Sequence, residues 1–325
     1  AAAAAVSSRA VPRAGWLIVL VALGACAHRR PRAPADGVAD ARVFYYQDNE
    51  GLRVVTSGAH VEQPLPRGDA LQISYVMDHV EIRPVDAVSR ASAQIGDGLG
   101  LNKNRYELTA GYLADVSDAR STALVGARAR VSVEQDYLSA SGELRYAGEL
   151  NRGNTAVSAS ITYGHDRIDP KLFHPDDAGR WPAAHDRVTA MIAVRQLLGA
   201  RTDVSFGGGG GVQRGALQSP YRRASVLEGF GAFASYHDHA ERHPGTRGRF
   251  TGFGGVSRYL GRGAALHLRL GGYADTWRVL ALTPEIAAVF ELGRRALLSI
   301  GYRYYVQSSA SFYQPKYASL TALRS

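Results

Sequence analysis

The stretch Thr122–Glu134, TALVGARARVSVE, sets two arginines into a run of alanine and valine. Ala123, Val125, Ala127, Ala129, Val131 and Val133 fall on one parity, and Leu124, Gly126, Arg128, Arg130, Ser132 and Glu134 on the other. Successive side chains of a strand point to opposite faces, so the stretch reads as a β-strand with one apolar and one polar face. A helix would scatter the arginines around its circumference. What remains is which surroundings each face meets.

The alternation recurs along the chain. Leu138, Ala140, Gly142, Leu144, Tyr146, Gly148 and Leu150 alternate with Ser139, Ser141, Glu143, Arg145, Ala147 and Glu149. Val157–Tyr163, Leu266–Gly271 and Leu298–Gln307 follow the same rule. Leu71–Ile82 changes phase near Asp78–His79, which suggests a bulge or the end of a buried band. Short turn signals punctuate these runs at 66–69, 115–120, 151–154, 198–201, 261–263 and 293–295. Counted from Arg42, they follow strands 2, 4, 6, 8, 10 and 12, whereas the longer connections, 83–104, 168–185 and 217–245, follow strands 3, 7 and 9. All short turns therefore lie at one end of the strands. Membrane-spanning β-barrels of the bacterial outer membrane have this asymmetry. The apolar parity then meets lipid, and the polar parity, with Arg128 and Arg130, meets the lumen. The alternative is a soluble β-sandwich or barrel with the apolar parity inside. Strands of about ten or more residues, with apolar faces rich in Ala, Gly and Leu rather than Ile, Val and Phe, favour the membrane. The expected fold is all-β, an antiparallel transmembrane barrel of about 12–16 strands. Tyrosine clusters at Tyr45–Tyr46, Tyr302, Tyr304–Tyr305 and Tyr313 suit the aromatic girdles of such barrels.

Composition fits an exported protein. The net charge of +9 comes almost wholly from arginines spread along the chain, lysine standing only at 103, 171 and 316, so no basic patch points to nucleic acid. Near the N-terminus, Arg9 and Arg13 precede the apolar run Trp16–Ala25, which is too short to span and has the form of a secretory signal. LGAC (Leu23–Cys26) has the form of a lipobox, with Cys26 as the acylated residue, and Ala25–Ala27 also fits the small-x-small site of ordinary signal peptidase. The lipobox is the preferred reading, and labelling with palmitate that disappears in Cys26→Ala is its expected signature. With one cysteine, no intrachain disulfide forms. The chain divides into a signal peptide at 1–27, a polar linker at 28–40 and a barrel at 41–325, destined for the outer membrane of a Gram-negative bacterium.

Several segments resemble the bacterial family of domain of unknown function 3570: residues 44–80, ASAQIGDGLGLNKNR (91–105), YGHDRI (163–168) and YRYYVQSSASFYQPKY (302–317). The resemblance covers most of residues 42–317. It implies an outer-membrane β-barrel and carries no catalytic or binding residues with it. The resemblance also implies several further strands past the FYQPKY segment.

Other motifs are weighed residue by residue. GGGGG (207–211) lacks the Lys-Ser/Thr pair of a phosphate loop, and reads as a place of sharp curvature or room for a neighbouring tyrosine ring. His237, His239 and His243 in YHDHAERH offer imidazoles for a transition metal, against a polar loop that needs no ligand. IGDGLG (95–100) and HPDD (174–177) lack the spacing of a calcium loop. His165, Asp166 and His185 near loop ends allow a barrel hydrolase, although no G-x-S-x-G motif accompanies them.

Thirteen strands fit between Arg42 and Gln307, so strands 1 and 13 run in the same direction. Closure would need a parallel seam, and the reading expects missing last strands or an open or strained seam. On the polar parity, Arg128, Arg130, Arg145, Arg269 and Arg303 nearly balance Glu134, Glu143, Glu149 and Asp275. At this strand number the lumen is expected to hold water, unless a loop such as 217–245 folds inward. The expected role is a passive pore or transport channel, without cofactor, whose partners are outer-membrane lipid and the barrel-assembly machinery. A closed structural or loop-presenting barrel is the alternative, and a hydrolase the third.

Overall fold

The computed structural model describes residues 37–47, 52–82, 101–119, 121–170, 181–218, 223–229, 233–293, 296–314 and 317–318. The signal segment, Cys26 and the loop stretches 95–100 and 174–177 lie outside them. In chain order the strands are β1 (Val38–Gln47), β2 (Leu52–Pro64), β3 (Ala70–Ile82), β4 (Leu101–Asp115), β5 (Thr122–Val133), β6 (Tyr137–Leu150), β7 (Thr155–Ile168), β8 (Ala183–Gly199), β9 (Thr202–Gly215), β10 (Arg223–Glu228), β11 (Ser235–Ala240), β12 (Thr246–Gly261), β13 (Ala264–Asp275), β14 (Leu280–Leu292), β15 (Ala296–Arg303) and β16 (Val306–Gln307).

All but β10 and β11 belong to one antiparallel sheet in which each strand pairs with the next, β9 passing directly to β12. β15 and β16 both pair with β14 and share one position, which gives thirteen positions. β1 and β15 stand at the two edges, and no ladder joins them among the described residues. Sheet pairing starts at Val38 opposite Glu62, inside the stretch read as linker, because β2 runs long enough to partner it.

All six short turns fall where the turn chemistry put them, at the same end of the strands. In the β12–β13 turn Arg262 and Gly263 adopt φ of 53° and 74°, the left-handed pair that matches the twist of a two-residue hairpin. The other end carries the connections that include 83–100, 169–182 and 216–245.

The faces are sorted as lipid requires. Among the described residues only seven hydrophobic residues are buried, including small Ala70 and Ala123. The apolar parity lies open instead: Leu108 is 54% exposed, Leu144 60%, Ile161 50% and Ile192 56%. On the polar parity Ser132, Ser139 and Asp166 are buried and Arg128, Arg130, Glu143 and Arg145 half-buried. A soluble sandwich would bury the first set and wet the second. This sorting belongs to an outer-membrane β-barrel fold.

The phase change in β3 is not a bulge, since its registers with β2 and β4 run unbroken. It marks the end of the apolar band. Beyond it the outward positions carry His79, bonded to Asn104 at 2.8 Å, and Glu81, paired with Arg53 at 3.6 Å. Gly207, Gly209 and Gly211 bring β9 close to β8. A Cβ at Gly207 would lie 2.7 Å from the Phe253 ring and from the Ile192 carbonyl oxygen. The ring accommodated there is thus a phenylalanine, not a tyrosine, because register places Phe253 directly opposite Gly207.

Candidate functional site

The opening stretch explains itself on the concave face. Arg130 pairs with Glu107 at 2.8 Å, and Arg128 stands opposite Glu143 in the ladder. Arg145 donates to Gln72 at 2.6 Å, reaching across two intervening strands. Gly126 lies beneath it, and a Cβ there would meet Arg145 Nε at 2.9 Å, so the glycine gives the arginine its bed. Glu149 is half-buried near the short turns. Arg269 lies 4.4 Å over the Phe253 ring, Asp275 binds Arg247, and Arg303 pairs with Glu285 at 3.1 Å. The nine residues assigned to the lumen from parity thus share the polar face, with both signs in contact along it.

At the end of the long connections, inward residues surround a cavity of about 370 Å³. Lys103 of β4, Glu134, His185 of β8, Gln213 of β9, Arg247 of β12 and Trp277 line it, so the sheet curls far enough to bring β4 and β12 to one cavity. Lys103 Nζ binds Asp136 Oδ2 at 2.5 Å. The other oxygen of that carboxylate is buried without a hydrogen-bond partner, as is His185 Nδ1. Arg247 donates to Asp275 through Nε at 2.9 Å and stacks 4.2 Å over Trp277, whose Nε1 donates to the Thr246 carbonyl at 3.1 Å. The segment 216–218 lines the same cavity, tied by Ala216 N to the Ala184 carbonyl at 2.9 Å. The connection 216–245 therefore does fold inward at its start.

Burial raises the Glu134 carboxyl above its ordinary 4.5, against the pull of Lys103. The folded protein then takes up this proton at higher pH than the unfolded chain. Stability falls as pH rises from the unfolded to the folded value, and Glu134→Gln escapes that loss. Urea midpoints of the variant and the parent are expected to coincide well below pH 4.5 and to separate at neutral pH, the variant being the more stable.

Behind the cavity wall Asp166, fully buried, binds His185 Nε2 at 2.8 Å and the Arg187 guanidinium. Ser139 stands opposite Asp166 on the neighbouring strand. The three residues suggested for a hydrolase divide by parity: His165 points outward to Asp186 at 2.9 Å, while Asp166 and His185 point inward. Asp166 sits between Ser139 and His185, so Ser139 is not presented to the histidine, whereas nucleophilic catalysis needs the base in the middle.

The histidines of 236–243 lie on and after a hairpin, β10–β11, that sequence reasoning took for a plain loop. They do not converge. His237 contacts Ser235 at 2.7 Å, His239 contacts Glu228 at 2.8 Å, and His243 packs edge-on against Trp277 at 5.2 Å. Among the described residues no three His, Cys, Asp or Glu gather as metal ligands. The hairpin is held instead by the FYQPKY segment: Leu227 N donates to the Tyr317 carbonyl at 2.8 Å and Tyr317 N to the Ser225 carbonyl at 2.9 Å. Val226 and Tyr317 are both buried there, and Phe312 packs on Trp277.

Sequence reasoning missed Lys103, Asp136, Arg247 and Trp277 as cavity residues, and Arg187 behind the cavity wall. Lys103 shares its parity with Arg105 and Glu107 and would have been found had β4 not been started after 104.

Residues 97–324 match the model of a family described as protein of unknown function (DUF3570). The quoted resemblance over 44–80 lies outside that match. No curated protein matches the sequence. Among solved structures, the chain is similar to a mutant of the ferric enterobactin receptor PfeA from Pseudomonas aeruginosa, at 13% identity and a TM-score of 0.46, covering 83% of this chain and 44% of the receptor. It is similar to the siderophore receptor PirA from Acinetobacter baumannii at 10% identity and a TM-score of 0.41, covering 82% and 42%. A loop-deletion mutant of OmpT, an outer membrane protein of Vibrio cholerae, matches at 10% identity and a TM-score of 0.30, covering 83% and 99%. The chain thus spans less than half the length of the two receptors.

Proposed function

The chain belongs to the DUF3570 family of proteins of unknown function, and from that premise and the lining of its concave face we propose that it is an outer-membrane pore passing small polar solutes. The observation that carries this is the two-signed polar lining, which converges at one end on a cavity that Lys103 and Arg247 both line. Water and small solutes are at home beside such a surface, and an apolar belt outside it holds the protein in lipid. Cys26, on this reading, adds an acyl anchor, and the barrel-assembly machinery inserts the strands. The separation of Ser139 from His185 favours transport over hydrolysis.

Conductance of the refolded protein in a planar bilayer with symmetric salt tests the proposal. Discrete steps with weak ion preference are expected. The absence of steps would favour the plugged, loop-presenting barrel, which the inward segment 216–218 also suits. Replacing both Arg128 and Arg130 by glutamate is expected to turn the channel toward cations, because each change swaps the sign of a charge on the pore wall. Reversal potentials in a salt gradient read this, and an unchanged preference would take these two residues off the conduction path.

A further inference from the structure

At the end of the long connections, the outward parity of β7, β8 and β9 leaves the apolar band and becomes basic. Tyr163, Val188 and Val212 are the last exposed members of the band, at 52%, 45% and 49%. Beyond them stand His165 and Arg167 on β7, Asp186 on β8 and Arg214 on β9. Register sets His165 and Arg214 on either side of Asp186, and Arg167 beside the small Ala184. Asp186 is already engaged, accepting from Tyr163 at 2.7 Å and contacting His165 at 2.9 Å. Arg167 and Arg214 are exposed and have no ion pair among the described residues. Elsewhere on the same rim the polar side chains satisfy one another: Arg53 pairs with Glu81, and His79 hydrogen-bonds to Asn104.

Two guanidinium groups without an ion pair therefore stand near one another where the hydrocarbon ends, Arg214 in the row of Asp186 and Arg167 two residues further along, in the row of Ala184. Their Cα atoms lie on strands two positions apart, or about 10 Å across the sheet. Arginine binds phosphate through a planar two-pronged donor, and anionic headgroups occupy this depth of a bilayer. We propose that Arg167 and Arg214, with His165 beside them, form a docking site for the phosphate of an anionic membrane glycolipid. The site rests on the membrane-spanning fold and is independent of whether the lumen conducts.

The test uses the full chain refolded in phosphatidylcholine nanodiscs that contain a small fraction of lipid A, or of lipid A stripped of its phosphates. Retained lipid is read by native mass spectrometry, and folding by the heat-modifiable shift on a gel. The parent protein is expected to retain the phosphorylated lipid in preference to the stripped one. Arg167→Gln with Arg214→Gln is expected to lower that preference about tenfold, and the corresponding Lys pair to keep part of it. Equal retention of both lipids by the folded parent overturns the proposal, and this arm stands even if the Gln pair fails to fold. Undiminished preference in the folded Gln pair overturns it also. Displacement of the lipid by millimolar inorganic phosphate would assign the site to a soluble anion and overturn the lipid reading.

Discussion

Asp166→Ala is expected to be among the most damaging single substitutions in the protein. The Asp166 side chain is fully buried and receives His185 Nε2 at 2.8 Å together with the Arg187 guanidinium. Those partners are themselves largely withdrawn from water, at 13% and 21% exposure. Removing one member of a buried ion pair leaves the other charge without compensation, at a cost of about 3–5 kcal/mol. Asp166→Asn keeps a hydrogen-bond acceptor and loses only the charge, so it falls between the two. Combining Asp166→Ala with Arg187→Ala removes the orphaned charge, and the pair is expected to cost less than the two single changes together. Urea unfolding in phospholipid vesicles measures the parent and these four variants, Arg187→Ala included. A loss below about 1 kcal/mol for Asp166→Ala would mean that the cluster is not a buried network.

Gly209→Val is expected to have a comparable effect by steric means. An added Cβ at Gly209 would collide with the Ala190 carbonyl oxygen and the Met191 sulfur across the β8–β9 ladder. The sulfur can swing away, but the carbonyl is fixed by its ladder. The strands must part locally, and each backbone hydrogen bond lost without replacement costs about 1–3 kcal/mol, more where lipid offers no alternative partner. Gly254 is the contrast, since a Cβ there meets nothing within 4 Å. Gly254→Ala is expected to be neutral or to stabilise by about 0.5–1 kcal/mol through the stiffer unfolded chain. Refolding yield from urea into detergent, read by the heat-modifiable gel shift, separates the two. Equal yields would show that β8 and β9 are not held at the observed spacing.

Most of the sheet could be read from the chain because a membrane strand displays its environment in a period of two. Thr122–Val133 needed only parity to separate Val125, Ala127, Ala129, Val131 and Val133 from Arg128 and Arg130. The turns were legible through glycine and asparagine at positions such as Asn151–Gly153, where φ is positive at each residue. The hairpin β10–β11 was not, because its strands are only six residues long, β11 carries histidine and aspartate, and Val226 of β10 gains its burial from Tyr317, about ninety residues further on. The cavity was legible only in fragments. Parity alone places His165 and Asp166 on opposite faces, but that Asp166 meets His185 and Arg187 depends on the register between β7 and β8. A fourteen-residue connection, 169–182, joins those strands and leaves that register open in sequence. The approach of Lys103 and Arg247 to one cavity depends instead on the curl of the sheet, which no local pattern encodes.

The central claim is that the apolar parity meets lipid and the arginines meet water. Nitroxide labels placed singly at positions 125 to 133 of β5 in the protein reconstituted into vesicles test it directly, by collision with oxygen, which concentrates in lipid, and with a polar nickel chelate, which stays in water. The account predicts that the odd positions, from Val125 to Val133, favour oxygen, and that the even positions, with Arg128 and Arg130, favour the chelate. The opposite phase would put the apolar face inside a soluble core, and would contradict the barrel.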